Sequence, residues 1–102
     1  MFIEEQFSKR LTELREKKGV SARDMSLSIG QNHGYITTIE NGGSLPSMMS
    51  FFYICEYLNV TPQEFFDLGN SDPNRLNALF ERLKSLKDDQ IAVVESVIDH
   101  MK

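Results

Sequence analysis

The apolar residues of this chain recur at spacings of three and four, the period of α-helices that are buried on one side. Phe7, Leu11 and Leu14 form the first such stripe, and Ile36 with Ile39 forms a shorter one. Sustained alternation of apolar and polar residues, the signature of half-buried strands, does not occur. The pattern therefore predicts an all-α protein.

Helix boundaries are indicated by glycines and small polar residues. The first helix is expected from about Glu4 to Lys17, with Gly19 as its C-terminal cap. A polar residue stands at the expected N-cap of each of the next four helices: Ser21, Asn32, Ser47 and Thr61. Gly30 is expected to end the second helix, and Asn41-Gly42-Gly43 the third. Pro62 occupies the first position of the fifth helix, where proline is favoured.

A turn-rich segment, residues 69–73, separates this region from a second amphipathic stretch. Two further helices are expected there, the second capped by Asp88. Their apolar stripes are Leu76, Leu79, Phe80, Leu83 and Leu86, and then Ile91, Val94, Ile98 and Met101. We accordingly expect a five-helix domain over residues 1–70 and a helical extension over residues 71–102.

Composition excludes several classes of protein. The chain has 102 residues, a size that suits one compact domain. It has no apolar run near the ~20 residues that cross a bilayer. Its first residues do not show the basic stretch followed by an apolar stretch that is typical of a secretory signal. One cysteine, Cys55, fits a reducing cytoplasm and a place in the core. His33 and His100 lie far apart, so neither a catalytic set, a metal site nor a cofactor is expected.

The strongest functional signal is a set of short motifs in one register. These are LREKKGVS, a glycine at Gly30, YITTIENG with LPS soon after it, and LNVTPQEFF. Over about residues 7 to 67 the chain closely resembles the Cro- and phage-repressor-type (XRE-like) helix-turn-helix family. The resemblance implies a five-helix domain whose third helix enters the DNA major groove while the second crosses the backbone.

The resemblance also assigns the DNA-binding positions. The base-reading positions lie at the start and on the exposed face of the third helix: His33, Gly34, Tyr35, Thr37 and Thr38, with Asn32 capping the helix. The phosphate-facing positions lie at the start of the second helix and after the third: Ser21, Ala22, Arg23, Asn41, Gly43 and Ser44. Histidine and threonine can donate or accept at base edges, and a helix start can hold a phosphate without a cation.

The charge distribution departs from the family pattern. The net charge is −4, and residues 24–71 contain no lysine or arginine. Many relatives have glutamine at the position of Ala22 and cations on the third helix. The basic residues here gather in and just after the first helix: Lys9, Arg10, Arg15, Lys17, Lys18 and Arg23. We therefore expect modest DNA affinity, since cations supply counterion release.

Some of these residues also have purely structural interpretations. Arg15 and Glu40 correspond to an ion pair that bridges the first and third helices in similar domains, and this is the interpretation we favour. Lys17 and Lys18 complement the negative end of the first helix dipole. Tyr35 either contacts DNA or covers a neighbouring helix, and His33 either faces the groove or is simply solvated.

The sequence thus predicts a sequence-specific DNA-binding transcriptional regulator without catalytic activity. Because two isolated tail helices are marginal in water, we expect them to form a homodimer, which would suit a palindromic operator in double-stranded DNA. The main alternative is a protein-interaction module that keeps the fold without binding DNA. A ligand sensor between the tail helices is a third option, for which no polar cluster is visible.

Overall fold

The computed structural model describes residues 3–101, and these form seven α-helices with no strand among them. The helices are α1 (Glu4–Lys18), α2 (Ala22–Ser28), α3 (Tyr35–Glu40), α4 (Met48–Leu58), α5 (Pro62–Phe65), α6 (Pro73–Lys84) and α7 (Asp88–Met101). The all-α prediction of five helices and a helical extension is confirmed. Met1, Phe2 and Lys102, which the predicted domain limits include, lie outside the described residues.

The hydrophobic core lies among the first five helices. Its buried members are Phe7, Leu11, Leu14, Met25, Ile36, Ile39, Phe51, Ile54, Cys55, Leu58, Val60 and Phe65. Phe65 is fully buried, with its ring centroid 4.9 Å from that of Phe7 and 5.1 Å from that of Phe51. Burial raises the pKa of the Cys55 thiol to about 11, so this cysteine packs as an uncharged core residue.

Most of the predicted caps are confirmed, and two are wrong. The Ser21, Ser47 and Thr61 side chains each accept the N–H of the residue three positions later, and Gly19 adopts the left-handed conformation (φ 79°) that closes α1. Asn32 does not cap α3, because a turn precedes that helix and Gly34 occupies the cap position. Asp88 is the first residue of α7 instead of its cap, since the Ile91 N–H already bonds to the Lys87 carbonyl.

Arg10 does not belong to an exposed basic cluster, as the sequence had suggested, because its side chain is buried and only 1% exposed. Its guanidinium donates to the carbonyls of Phe65 (2.6 Å), Glu64 (2.7 Å) and Asn70 (2.8 Å), and it pairs with Glu13. Arg10 therefore ties α1 to the C-terminal end of α5 and to the turn before α6. A guanidinium whose donors are engaged inside the fold cannot also bind a phosphate.

Arg15 and Glu40 form the predicted bridge between α1 and α3. The Arg15 Nε and Nη2 atoms donate to the two Glu40 carboxylate oxygens at 2.7 and 2.9 Å. The two side chains are only 16% and 10% exposed. The hydrogen bonds to Glu40 raise the pKa of Arg15. Such a bidentate pair fixes both distance and orientation between the two helices.

The extension contacts the first five helices mainly through the start of α6. Pro73 is buried, and the Asn74 side chain donates to the Leu58 carbonyl at 3.0 Å. Asn77 donates to the Glu64 carboxylate at 2.8 Å. By contrast, α7 has no buried residue. The tail therefore leaves much of its apolar surface exposed in the isolated chain.

The Arg15–Glu40 bridge yields a stability prediction. Arg15→Met leaves the Glu40 carboxylate nearly buried without its cation, which should cost about 3–5 kcal/mol of unfolding free energy. The double change with Glu40→Leu should recover most of that loss, because both charges are then removed. Urea unfolding followed by circular dichroism measures both, with exposed Lys17→Met as the control that should stay within about 0.5 kcal/mol of the parent. Equal stability of the Arg15→Met variant and the parent would contradict the structural role of the bridge.

Candidate nucleic-acid interface

Helices α2 and α3 form a corner whose angle is held by one buried hydroxyl. Ser26 is 0% exposed, and its Oγ accepts the Ile36 N–H at 2.9 Å while donating to the Ala22 carbonyl at 2.7 Å. The Ile36 N–H lies in the first turn of α3, where backbone donors have no intrahelical acceptor. Ser26 thus supplies the N-terminal bond that α3 lacks and fixes α3 against α2.

The opposite end of α3 is held by a polar stripe on α1, formed by Ser8, Thr12 and Arg15. The Ser8 hydroxyl donates to the Ile39 carbonyl at 2.8 Å, and the Thr12 hydroxyl donates to the Glu40 carboxylate at 2.8 Å. Arg15 completes the set with its two bonds to Glu40. A six-residue helix, which is unstable alone, is therefore fixed at both ends by side chains from its neighbours.

Thr37 and Thr38 on the outer side of α3, together with His33 in the turn before it, present polar groups that we call the reading face. All three residues are exposed, while Ile36 and Ile39 on the inner side are fully buried. The Thr38 hydroxyl donates to the Gly34 carbonyl at 3.0 Å, which leaves its lone pairs available as acceptors. Tyr35 is half-buried and packs partly against the core, so the alternative in which it covers other helices has structural support.

The turn before α3 shapes the start of this face. The Asn32 side chain accepts the Gly34 N–H at 3.0 Å, and its carbonyl accepts the Tyr35 N–H at 3.1 Å. His33 and Gly34 consequently lie in a turn that leads into α3, and the helix begins two residues later than the expected Asn32 cap predicts. Asn32 organises this turn rather than the helix itself.

The expected phosphate-facing positions lie in two places, at the start of α2 and in the loop after α3. Ser21 and Arg23 are exposed at the start of α2, whereas Ala22 is half-buried against the core. Asn41, Gly43 and Ser44 are exposed in the loop after α3. The Gly43 N–H donates to the Thr38 carbonyl at 2.8 Å, and a Cβ at Gly43 would lie 3.0 Å from the Thr38 side chain. A larger residue at position 43 would therefore require Thr38 or the loop to shift by a few tenths of an ångström.

Few cations remain free for a phosphate near the corner. Arg10 and Arg15 are engaged inside the fold, and the Lys18 ammonium lies 4.9 Å from the centroid of the Tyr57 ring. Lys9, Lys17 and Arg23 are exposed, and Arg23 alone among them belongs to α2. The surface of the corner therefore presents backbone N–H groups and hydroxyls more than positive charge.

Comparison with known proteins places this geometry in a family. A family model described as "Helix-turn-helix domain" matches residues 8–71, more than half of the chain. The chain belongs to the XRE-type helix-turn-helix family of DNA-binding transcription regulators. No curated protein matches it significantly.

The solved structure of a controller protein supports this assignment. The restriction-modification controller protein C.AhdI from Aeromonas hydrophila superimposes with a TM-score of 0.58 at 28% sequence identity. The match covers 62% of this chain and 91% of the controller protein. Because the family match ends at residue 71, α6 and α7 lie beyond the part of the chain that it covers.

Three residues that join the helices were missed in the sequence, although each left a signal: Ser26 and Ser8 bond to α3, and Arg10 bonds to the end of α5. Ser26 stands three residues before Ile29, on the buried face of α2, where a small polar residue indicates a hydrogen bond to a neighbour. Arg10 stands three residues after Phe7, within the buried stripe of α1. Ser8 belongs to a polar stripe with Thr12 and Arg15 at spacings of four and three, which runs beside the apolar one.

The Ser26 hydroxyl yields a prediction that separates corner geometry from surface chemistry. Ser26→Ala leaves the Ile36 N–H buried without an acceptor, which should cost about 1–3 kcal/mol of unfolding free energy. The control is Ser28→Ala at an exposed position of the same helix, which should change little. Thermal unfolding of both variants provides the measurement. Equal destabilisation by the two changes would mean that the buried bond does not fix the corner.

Proposed function

We propose that this protein is a sequence-specific transcriptional regulator that binds double-stranded DNA as a homodimer, with α3 in the major groove. The observation that carries the proposal is the reading face, because it projects hydrogen-bonding side chains from a helix held at both ends. Its family membership and its likeness to a controller protein support a regulatory role.

The chemistry of the reading face suits base edges. The His33 ring can donate to or accept from a purine, and the threonines can hydrogen-bond to any base or contact a thymine methyl group. Asn32 and Gly34 would bring the turn before α3 close to the DNA backbone, since glycine has no side chain to keep it away. Base recognition would then depend on short side chains at close range.

Positioning on the DNA would come from both ends of the corner. At the start of α2, the backbone N–H groups behind Ser21 can hold a phosphate, and Arg23 adds one charge. In the loop after α3, Asn41, Gly43 and Ser44 would contact a second phosphate group through amide and hydroxyl donors. Such contacts release few counterions, so the binding constant should fall only shallowly with salt.

Dimerisation would come from the tail, where α6 and α7 expose large apolar side chains. Leu76, Leu79 and Phe80 on α6 are between 49% and 55% exposed, and Ile98 and Met101 on α7 are 46% and 79% exposed. Burying such a surface against a second copy would stabilise helices that are marginal alone. A two-fold dimer would present two α3 helices to half-sites about 34–36 Å apart.

The alternative is a protein-interaction module with the same fold, and α4 provides an observation in its favour. Met48, Met49, Phe52 and Tyr53 are between 48% and 68% exposed on one helix, beside Leu45 in the loop before it. Exposed apolar clusters of this kind occur at protein interfaces. The absence of cations on α3 fits the same alternative.

Alanine variants test the DNA-binding proposal. His33→Ala and Thr38→Ala should each cost about 1–3 kcal/mol of discrimination for the preferred site while the melting temperature stays nearly constant. Arg23→Ala should weaken binding to every sequence alike and make the salt slope shallower by about one unit, because the arginine no longer neutralises a phosphate. Fluorescence anisotropy over a salt series measures both, with exposed Gln63→Ala on α5 as a control distant in sequence from the corner. Failure of the folded dimer to retain DNA even at low salt would favour the interaction module.

A second set of variants tests the role of the tail. Leu79→Asp combined with Leu83→Asp should shift the protein towards monomer, because each change would bury a carboxylate in an apolar contact. Ala92→Asp, at an exposed α7 position outside the stripe, is the control and should leave the dimer intact. Sedimentation equilibrium measures the association state of the double variant and of the control. A wild-type protein that is monomeric at high micromolar concentration would contradict the homodimer.

A further inference from the structure

The two tail helices carry apolar seams with the same spacing. The α6 seam consists of Leu76, Leu79, Leu83 and Leu86, the last in the turn after the helix, and the α7 seam consists of Ile91, Val94, Ile98 and Met101. Both follow the three-four-three spacing of helices that pack knobs into holes. The α7 seam advances ten residues, or about 15 Å of helix, whereas the α6 seam advances seven residues within the helix, or about 10 Å, before Leu86 extends it into the turn.

These seams are not closed within one chain. Leu83 and Leu86 before the connection and Ile91 and Val94 after it are half-buried, whereas the outer members are exposed. Leu76 is 54% exposed at the far end of α6, and Met101 is 79% exposed at the far end of α7. Among the described residues, α6 and α7 are not one of the closely packed helix pairs. The outer half of each seam is therefore open in the single chain.

The charges that flank the two seams have opposite signs. Beside the α6 seam stand Arg75, Arg82 and Lys87, with no carboxylate at an adjoining seam-edge position. Beside the α7 seam stand Asp88 and Glu95, with no cation at the described seam-edge positions. Pairing α6 with α6, or α7 with α7, would place like charges together, whereas pairing α6 with α7 places opposite charges together.

The surface beside α6 has the character that an acidic amphipathic helix requires. An open cavity of about 550 Å³ lies between α6, the turn before it and the end of α1. Its lining combines Leu76 and Leu79 with the cations Arg75, Arg82 and Lys17. The one carboxylate in the lining, Asp72, caps α6 by accepting the Arg75 N–H.

From the shared spacing of the two seams and their opposite charges, we infer that the α6 seam of one chain binds the α7 seam of a second copy. The α7 seam of the first chain binds the α6 seam of the second in the same way. The two copies thus exchange helices to form a four-helix unit in which each basic seam faces an acidic one. This arrangement specifies the homodimer and rests on that part of the proposed function. The contact is self-complementary, because each chain carries both the basic α6 seam and the acidic α7 seam.

Charge reversals at matched positions test the pairing. Arg82→Glu and Glu95→Lys change seam-edge residues, whereas Lys84→Glu and Asp99→Lys make the same charge changes at exposed positions away from the seams. Each seam-edge change should weaken the wild-type dimer about tenfold, since it acts at both symmetric contacts, and each control should have little effect. The double variant Arg82→Glu/Glu95→Lys should return to within about threefold of the wild-type dissociation constant. Sedimentation without DNA measures association, and circular dichroism checks helix content.

The outcomes separate this pairing from the rest of the proposal. If Arg82→Glu dimerises as tightly as Lys84→Glu, or the double variant stays as weak as the single ones, the α6–α7 exchange is wrong while a tail dimer of another kind survives. A monomeric wild type overturns both the exchange and the dimer. If the charge reversals behave as expected but the protein retains no DNA, the exchange stands and the DNA-binding proposal fails.

Discussion

The shortness of α3 is the constraint on which the rest of the structure depends. Six residues form too few intrahelical bonds to be stable in water, so the helix exists because other elements hold its ends. Ser26 on α2 holds the N-terminal end, and the Ser8, Thr12 and Arg15 stripe on α1 holds the C-terminal end. Because all of these bonds approach from the inner side, the outer side is left exposed, as the proposed contact with DNA requires.

The same use of polar groups explains why so little positive charge reaches the surface of the corner. Arg10 and Arg15 each support an element of the fold, and α3 and its loop have no cation. A Cβ at Gly43 would also lie 3.0 Å from the Thr38 side chain, so a longer residue at that loop position requires a small local shift. Under the proposed function, specificity for DNA would therefore come from hydroxyl, imidazole and backbone groups, with charge in a minor role. The tail, by contrast, is strongly patterned in charge, which suits a role in self-association.

Much of the fold follows from local signals in the sequence. The buried stripe of α1, the Ser21, Ser47 and Thr61 caps and the left-handed Gly19 all depend on residues within one or two turns of each other, so their spacing suffices. The failures have tertiary causes. The start of α3 depends on a turn in which the Asn32 side chain accepts the Gly34 N–H. The burial of Arg10 depends on carbonyls that lie more than 50 positions away in sequence. For the candidate site, family resemblance supplies the positions, and the structure adds which of them are exposed.

Selection of DNA from a random library by the wild-type protein tests the central claim most directly, with the enriched sites then titrated over a salt series. The account predicts an enriched palindrome with half-site centres about one helical turn apart, because a two-fold dimer presents two α3 helices. It also predicts a shallow salt slope, since few cations displace counterions. Recovery of no enriched sequence at low salt, by a protein shown to be folded and dimeric, would contradict the account.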